Sequence, residues 1–179
     1  MREDDHEKAV AWARGLLEQT DWVILDTETT GTSPYDEIVQ IAIVAWDGKV
    51  LLDTLVRPTQ PIPLSATAIH GISDTDVLKA PSFPEVYGRV QRILFGKRIV
   101  VYNAQFDLRL IRQTLSRHNL LPYGLDRDQA ECAMLAYSAW VGEQWPDGGY
   151  KWQKLVSGDH TAVGDCLATL ALIKRMAEG

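Results

Sequence analysis

Cysteine is nearly absent: Cys132 and Cys166 are the only two in 179 residues. They match no disulfide framework, and with His6 and His70 they form no zinc-finger spacing. Such sparing use of thiols is expected of a reducing compartment, here the cytoplasm. Long apolar runs are missing too, since none approaches the roughly 18 residues of a membrane helix, so no membrane association is expected. The acidic opening, MREDDHEKAV, is unlike a secretory signal. No internal repeat, low-complexity tract or Pro/Gly-rich linker divides the chain. Its length suits one domain over 1–179, with 1–20 as an N-terminal helical extension and 21–179 as the core. A basic excess is also lacking: 18 Lys and Arg face 24 Asp and Glu, a formal charge of -6. That argues against a protein coating long duplex nucleic acid, though not against an enzyme gripping a short single-stranded end.

What is present has a regular order. Residues 7–18 place Val10, Ala13, Leu16 and Leu17 at helical spacing. A strand over 22–28 precedes the turn-rich TGTSPYD. Strands over 38–46 and 49–56 follow, joined at Asp47-Gly48, a strong hairpin signal. RPTQPIP reads as an extended loop. A helix is expected over 82–95, a buried strand over 98–103, a helix over 105–118 and a short strand near 129–132. Helices then dominate, most clearly over 161–176. A meander followed by alternating helices and strands predicts an α/β fold, a mixed central sheet of about five strands flanked by helices.

The stretch VILDTETTG (23–31) sets the chemical problem. On a strand, Asp26 and Glu28 project from one face, where they repel each other unless one is protonated or a cation lies between them. Asp107, in VVYNAQFDLRLI, stands where the buried strand meets the next helix. Asp165, in HTAVGDCLATLALIKRM, falls on the helical stripe of Ala162, Ala168 and Leu172, expected to face the sheet. A carboxylate there costs several kcal/mol, on the order of a buried charge, unless paired or bound to metal. His160 lies just ahead of that helix. Four carboxylates without cysteine favour hard cations, magnesium or manganese over zinc. Two such ions with a histidine base fit hydrolysis of a phosphodiester.

DTETTG (26–31), NAQFD (103–107) and HTAVGD (160–165), in this order, resemble the three motifs of the DnaQ-like, DEDDh 3′–5′ exonucleases. AIHGISDTDVLKAPSF (68–83) is similar to the family's stretch between the first two motifs, and the resemblance runs from about Trp22 to the C-terminus. It implies a ribonuclease H-like fold and two divalent cations, Mg2+ or Mn2+. Asp26, Glu28 and Asp165 would hold one ion, and Asp26 would bridge to the second with help from Asp107. His160 would deprotonate the attacking water. Thr27 and Thr29 would touch the terminal nucleotide, Ile69 and His70 would line its pocket, and Phe106 would pack beside it. Asn103, grouped with these substrate contacts, would brace the loop carrying Asp107. The expected partner is a nucleic-acid 3′ end, single-stranded DNA first and short RNA as the alternative, with release of nucleoside 5′-monophosphates. Proofreading beside a polymerase, as in the epsilon subunit of bacterial replicative polymerases, and free-standing DNA repair or turnover are both open.

The chain departs from the family pattern where Thr161 follows His160 and where Tyr102 replaces a frequent histidine. Taken singly, these residues have plainer readings: a strand end reaching water, a helix cap for Asp107 or His160, a packed loop histidine for His70. Their order and spacing favour the site. The segment 140–155, WVGEQWPDGGYKWQKL, is an aromatic and basic cluster that could touch nucleic acid or be surface. Arg109, Arg112 and Arg117 could be a phosphate track or a solvated face. A non-catalytic binding module on the same fold, or an endonuclease, are the rival readings.

Overall fold

The structure, a computed structural model, describes residues 3–122 and 130–179. It is an α/β fold built on a five-stranded sheet of order β3-β2-β1-β4-β5. The strands are β1 (Trp22–Thr29), β2 (Ile38–Ala45), β3 (Val50–Leu55), β4 (Arg98–Val101) and β5 (Ala130–Cys132). The first three form an antiparallel meander, and β4 and β5 add in parallel beside β1. The helices are α1 (Glu3–Leu17), α2 (Leu64–His70), α3 (Asp74–Val77), α4 (Phe83–Leu94), α5 (Ala104–Arg117), α6 (Ala133–Val141) and α7 (Ala162–Glu178).

β1 lies at the centre because both of its faces are apolar. Val23 and Leu25 pack into the layer of α4 and α5, whereas Trp22 and Ile24 pack into the layer of α1, α6 and α7. The hairpin forms at Asp47-Gly48: Ala45 N donates to Lys49 O at 2.8 Å, and Gly48 takes φ 90, which a side chain would resist. One irregularity shapes the functional end. The pairing passes from Glu28↔Gln40 to Thr29↔Ile38, so Val39 is bulged out of register. Ile38 thereby shares a core with Ile41 and Ile43, while Val39 turns to Ile62, Ala66, Ile72 and Val77 beneath α2 and α3. The bulge thus seats that small helical unit against the carboxyl end of β1.

The strand expected over 98–103 ends at Val101, since Asn103 (φ −117, ψ 75) is already the N-cap of α5. Of the strand expected near 129–132, Ala130–Cys132 forms, and Gln129 lies outside the described residues. α2 and α3 were not expected as helices; they have 7 and 4 residues, too short to show periodicity, and α3 depends on a Ser73–Asp76 capping box. α1 is a packed member of its layer: Ala13 and Leu16 are fully buried, and Arg14 Nε donates to Ala177 O at 2.8 Å.

Candidate active site

Strand alternation sends Asp26 and Glu28 to the face of Trp22 and Ile24, toward α7. Asp165 meets them from the first turn of α7. One oxygen from each of these three carboxylates lies within 4.8 Å of the others. α7 is held in place at this end by the sheet, because Gln40 Oε1, across from Glu28, accepts from Ala162 N at 3.2 Å. Asp165 is half-buried at the rim, a shallower place than the stripe expected from the helical wheel, although Ala162, Ala168 and Leu172 are buried as expected.

Asp107 approaches from the other layer. It is 3% exposed, and its Oδ1 accepts from Thr27 N at 3.1 Å and from Thr27 Oγ at 2.7 Å. Asp107 is thus locked to the strand between the two acids, outside the three-carboxylate cluster but on the same pocket. Asn103 supports it through main chain, its carbonyl accepting from Phe106 N and Asp107 N.

His160 stands on the pocket rim in left-handed backbone, φ 59. Its loop is pinned by a ring of hydrogen bonds. Asp165 Oδ1 accepts from Asp159 N at 3.0 Å and from His160 N at 3.3 Å. Asp159 Oδ1 in turn accepts from Thr161 N and Thr161 Oγ, and Thr161 caps α7 by accepting from Gly164 N. Gly158 permits this closeness: a Cβ there would stand 2.7 Å from Asp165 Oδ1. The pocket of about 190 Å³ is lined by all four acids and His160, with Tyr102 and Leu155 completing the wall.

A second cavity of about 480 Å³ continues from it across Thr27, Glu28 and Phe106, bounded by Thr29, Ile69 and His70. Ile69 is exposed. His70 is buried, its Nδ1 accepting from Ile72 N and its Nε2 lying 3.2 Å from Thr29 O. Nε2 therefore carries the proton, and burial holds the imidazole below its ordinary pKa. His70 braces the end of α2 against β1. The arginines on α5 take another role: Arg109 and Arg117 donate to the carbonyls of Thr32 and Tyr35, and Arg109 lies over the Phe106 ring at 5.4 Å. They tie down the turn after β1. Gly158 and Asp159 have no role among the sequence expectations, and Thr161 figures there only as a departure from the family pattern; an Asp-x-Thr cap before a helix is the signal that marks this ring.

The site is electrostatically strained without a cation. Burial, then repulsion from Asp107, Asp165 and Glu28, pushes Asp26 well above the usual carboxylate range. Burial and the charges of Asp165, Asp107 and Asp159 push Glu28 from 4.5 up to about 8. Burial raises Asp107 to about 7 against the hydrogen bonds from Thr27, and it raises Asp165 as well. No lysine or arginine is among the residues lining the pocket. A converging, all-oxygen, cation-free donor set fits a hard divalent ion.

The family model described as Exonuclease matches residues 23–173. An uncharacterized exonuclease, CP81, of Escherichia phage 186 is 39% identical over 180 residues, 90% of each chain. A DNA polymerase III subunit epsilon-like protein of Rhodobacter capsulatus is 34% identical over 93% of this chain, which spans only 25% of that protein. Among solved structures, E. coli Exonuclease I in complex with a dA16 oligonucleotide superposes with a TM-score of 0.70 at 20% identity, over 89% of this chain and 42% of that one. The latter likeness shows the fold, the ribonuclease H-like arrangement of exonuclease domains. With the match running through every strand of the described sheet and the acids gathered at its centre, the chain belongs to the exonuclease family.

Proposed function

We propose that this nuclease is a 3′–5′ exonuclease that hydrolyses the terminal phosphodiester of single-stranded DNA and releases nucleoside 5′-monophosphates. The observation that carries the reading is the convergence of three carboxylate oxygens within 4.8 Å on a pocket shared with Asp107 and His160. Asp26, Glu28 and Asp165 would hold one Mg2+ or Mn2+, and Asp26 with Asp107 a second. Bound there, such ions supply positive charge that acidifies water and stabilises the leaving oxygen. The chain's own residues do the rest. His160, on the rim of the acid pocket, takes the proton of the attacking water as a positioned general base. Thr27, locked to Asp107, keeps the strand main chain at a fixed distance from the acids. The cavity by Thr29, Ile69, His70 and Phe106 receives the terminal nucleotide, with Phe106 offering an aromatic edge and His70 holding the wall.

The test is a single-stranded DNA oligonucleotide labelled at its 5′ end, incubated with magnesium, manganese or EDTA, beside an Asp26→Ala variant. A metal-dependent ladder shortening from the 3′ end, absent in the variant, supports the proposal. A matched RNA oligonucleotide decides the sugar, and cleavage of a circular strand would make the enzyme an endonuclease. Cleavage of none of them in either metal leaves a binding module.

A further inference from the structure

The reaction uses two of the cavities around α5. A third, about 300 Å³, opens on the opposite flank of the same helix start. It shares Asn103 with the acid pocket, whereas the terminal-nucleotide cavity shares Phe106 with it. The first turn of α5 thus stands between two cavities, each sharing a residue with the acid pocket. A strand cut at the acids with its last nucleotide in one has the other beside its upstream end.

We infer that this third cavity binds the nucleotide on the 5′ side of the scissile phosphodiester, with Trp152 stacking on its base. The inference rests on the exonuclease reading above. The cavity is amphipathic in the sense a nucleotide requires: Met134, Leu135 and Trp152 form an apolar wall, and Asn103, Gln105 and Arg112 present polar and cationic groups. Trp152 is 70% exposed, more than any other indole of the chain, although Trp145 and Trp46 also reach solvent. Its position is fixed on both sides. Lys151 N donates to Glu143 O at 2.8 Å, closing a small hairpin that also pairs Gln144 with Tyr150. On the other side, Tyr102 Oη donates to Gln153 O at 2.8 Å. An exposed aromatic ring between two anchored neighbours is preorganised to stack, and stacking accepts any base because every base has a π-face. Tyr102, where a histidine is frequent in the family, thus gains a role as the post that holds the Trp152 segment beside the acids. The substrate class follows: single strands of two nucleotides or more.

Two readouts test this. In hydrolysis, kcat/KM is compared between a short single-stranded oligonucleotide and the p-nitrophenyl ester of thymidine 5′-monophosphate, whose aryl group replaces the upstream nucleotide. Trp152→Ala should lower the oligonucleotide-to-ester ratio about tenfold, the loss of one stacked base, and Trp152→Phe should restore most of it. In binding, with EDTA to prevent turnover, the oligonucleotide should quench a part of the tryptophan emission that Trp152→Phe lacks, and thymidine 5′-monophosphate should not. An unaltered ratio in Trp152→Ala, or equal quenching by the mononucleotide, overturns the inference while leaving the exonuclease reading intact. Quenching that depends on Trp152 in a protein cleaving neither substrate would retain the site and remove the nuclease reading.

Discussion

Replacing Glu28 by glutamine should stabilise the metal-free protein above neutral pH. Glu28 is 9% exposed and faces Asp26 and Asp165. Burial, then the charges of Asp165, Asp107 and Asp159, raise its carboxyl from 4.5 to about 8. Below the lower value both folded and unfolded chains are protonated and no penalty exists. Through the window between the two, the unfolded chain ionises first, so folding stability falls as pH rises and levels off above the upper value. At pH 7 the chain stands about 2.5 pH units into that window, an upper bound of about 3 kcal/mol at 1.36 kcal/mol per unit. The site is open on one side, and solvent screening brings the figure to about 1–2 kcal/mol. For a chain of this size that is a gain of about 3–6 °C in Tm for Glu28→Gln. The assay is thermal unfolding in EDTA at pH 5 and pH 8, repeated with magnesium or manganese. The variant should exceed wild type in EDTA at pH 8, match it more nearly at pH 5, and gain less from the metal. A variant no more stable than wild type at pH 8, or a wild-type Tm that rises from pH 5 to pH 8 without metal, refutes the reasoning.

Other perturbations follow from the same geometry. His160→Ala should lower kcat by roughly 10²–10⁴-fold, the usual worth of a positioned general base, while metal-dependent stabilisation persists in the melting curve. Gly158→Ala, whose Cβ would stand 2.7 Å from Asp165 Oδ1, should weaken metal binding by roughly tenfold when titrated calorimetrically. Thr27→Val removes the 2.7 Å bond to Asp107 and should cost about 1 kcal/mol in denaturant unfolding, with a larger proportional loss of activity. Leu16→Ala should cost about 2–5 kcal/mol, because Leu16 is fully buried between α1 and its layer; near-zero loss would make α1 dispensable.

The sequence disclosed the parts of this site that depend on simple periodicities. Alternation along β1 placed Asp26 and Glu28 on one face, and the junction of β4 and α5 placed Asp107 near them. The helical wheel found the direction of Asp165 yet misjudged its depth, because a wheel gives angle about an axis and not height along it. The bulge at Val39 left no mark, since apart from Gln40 both alternating sets of IVQIAIVA are apolar. The hydrogen-bond ring of Asp159, Thr161 and Asp165 was hidden because it needs His160 in a backbone region that histidine rarely takes. Trp152 stood out as an aromatic, but only the folded chain brings it beside Asn103, across 49 positions of sequence.

If His160 is the base, as proposed above, its left-handed backbone sets stability against proton transfer at one position. Glycine and asparagine occupy that conformation with less strain, a relief on the order of 1 kcal/mol. Either substitution would let the loop relax while erasing the base. A descendant of this chain freed from turnover would therefore drift toward those residues at 160, and its gain in melting temperature would be the trace of an abandoned reaction.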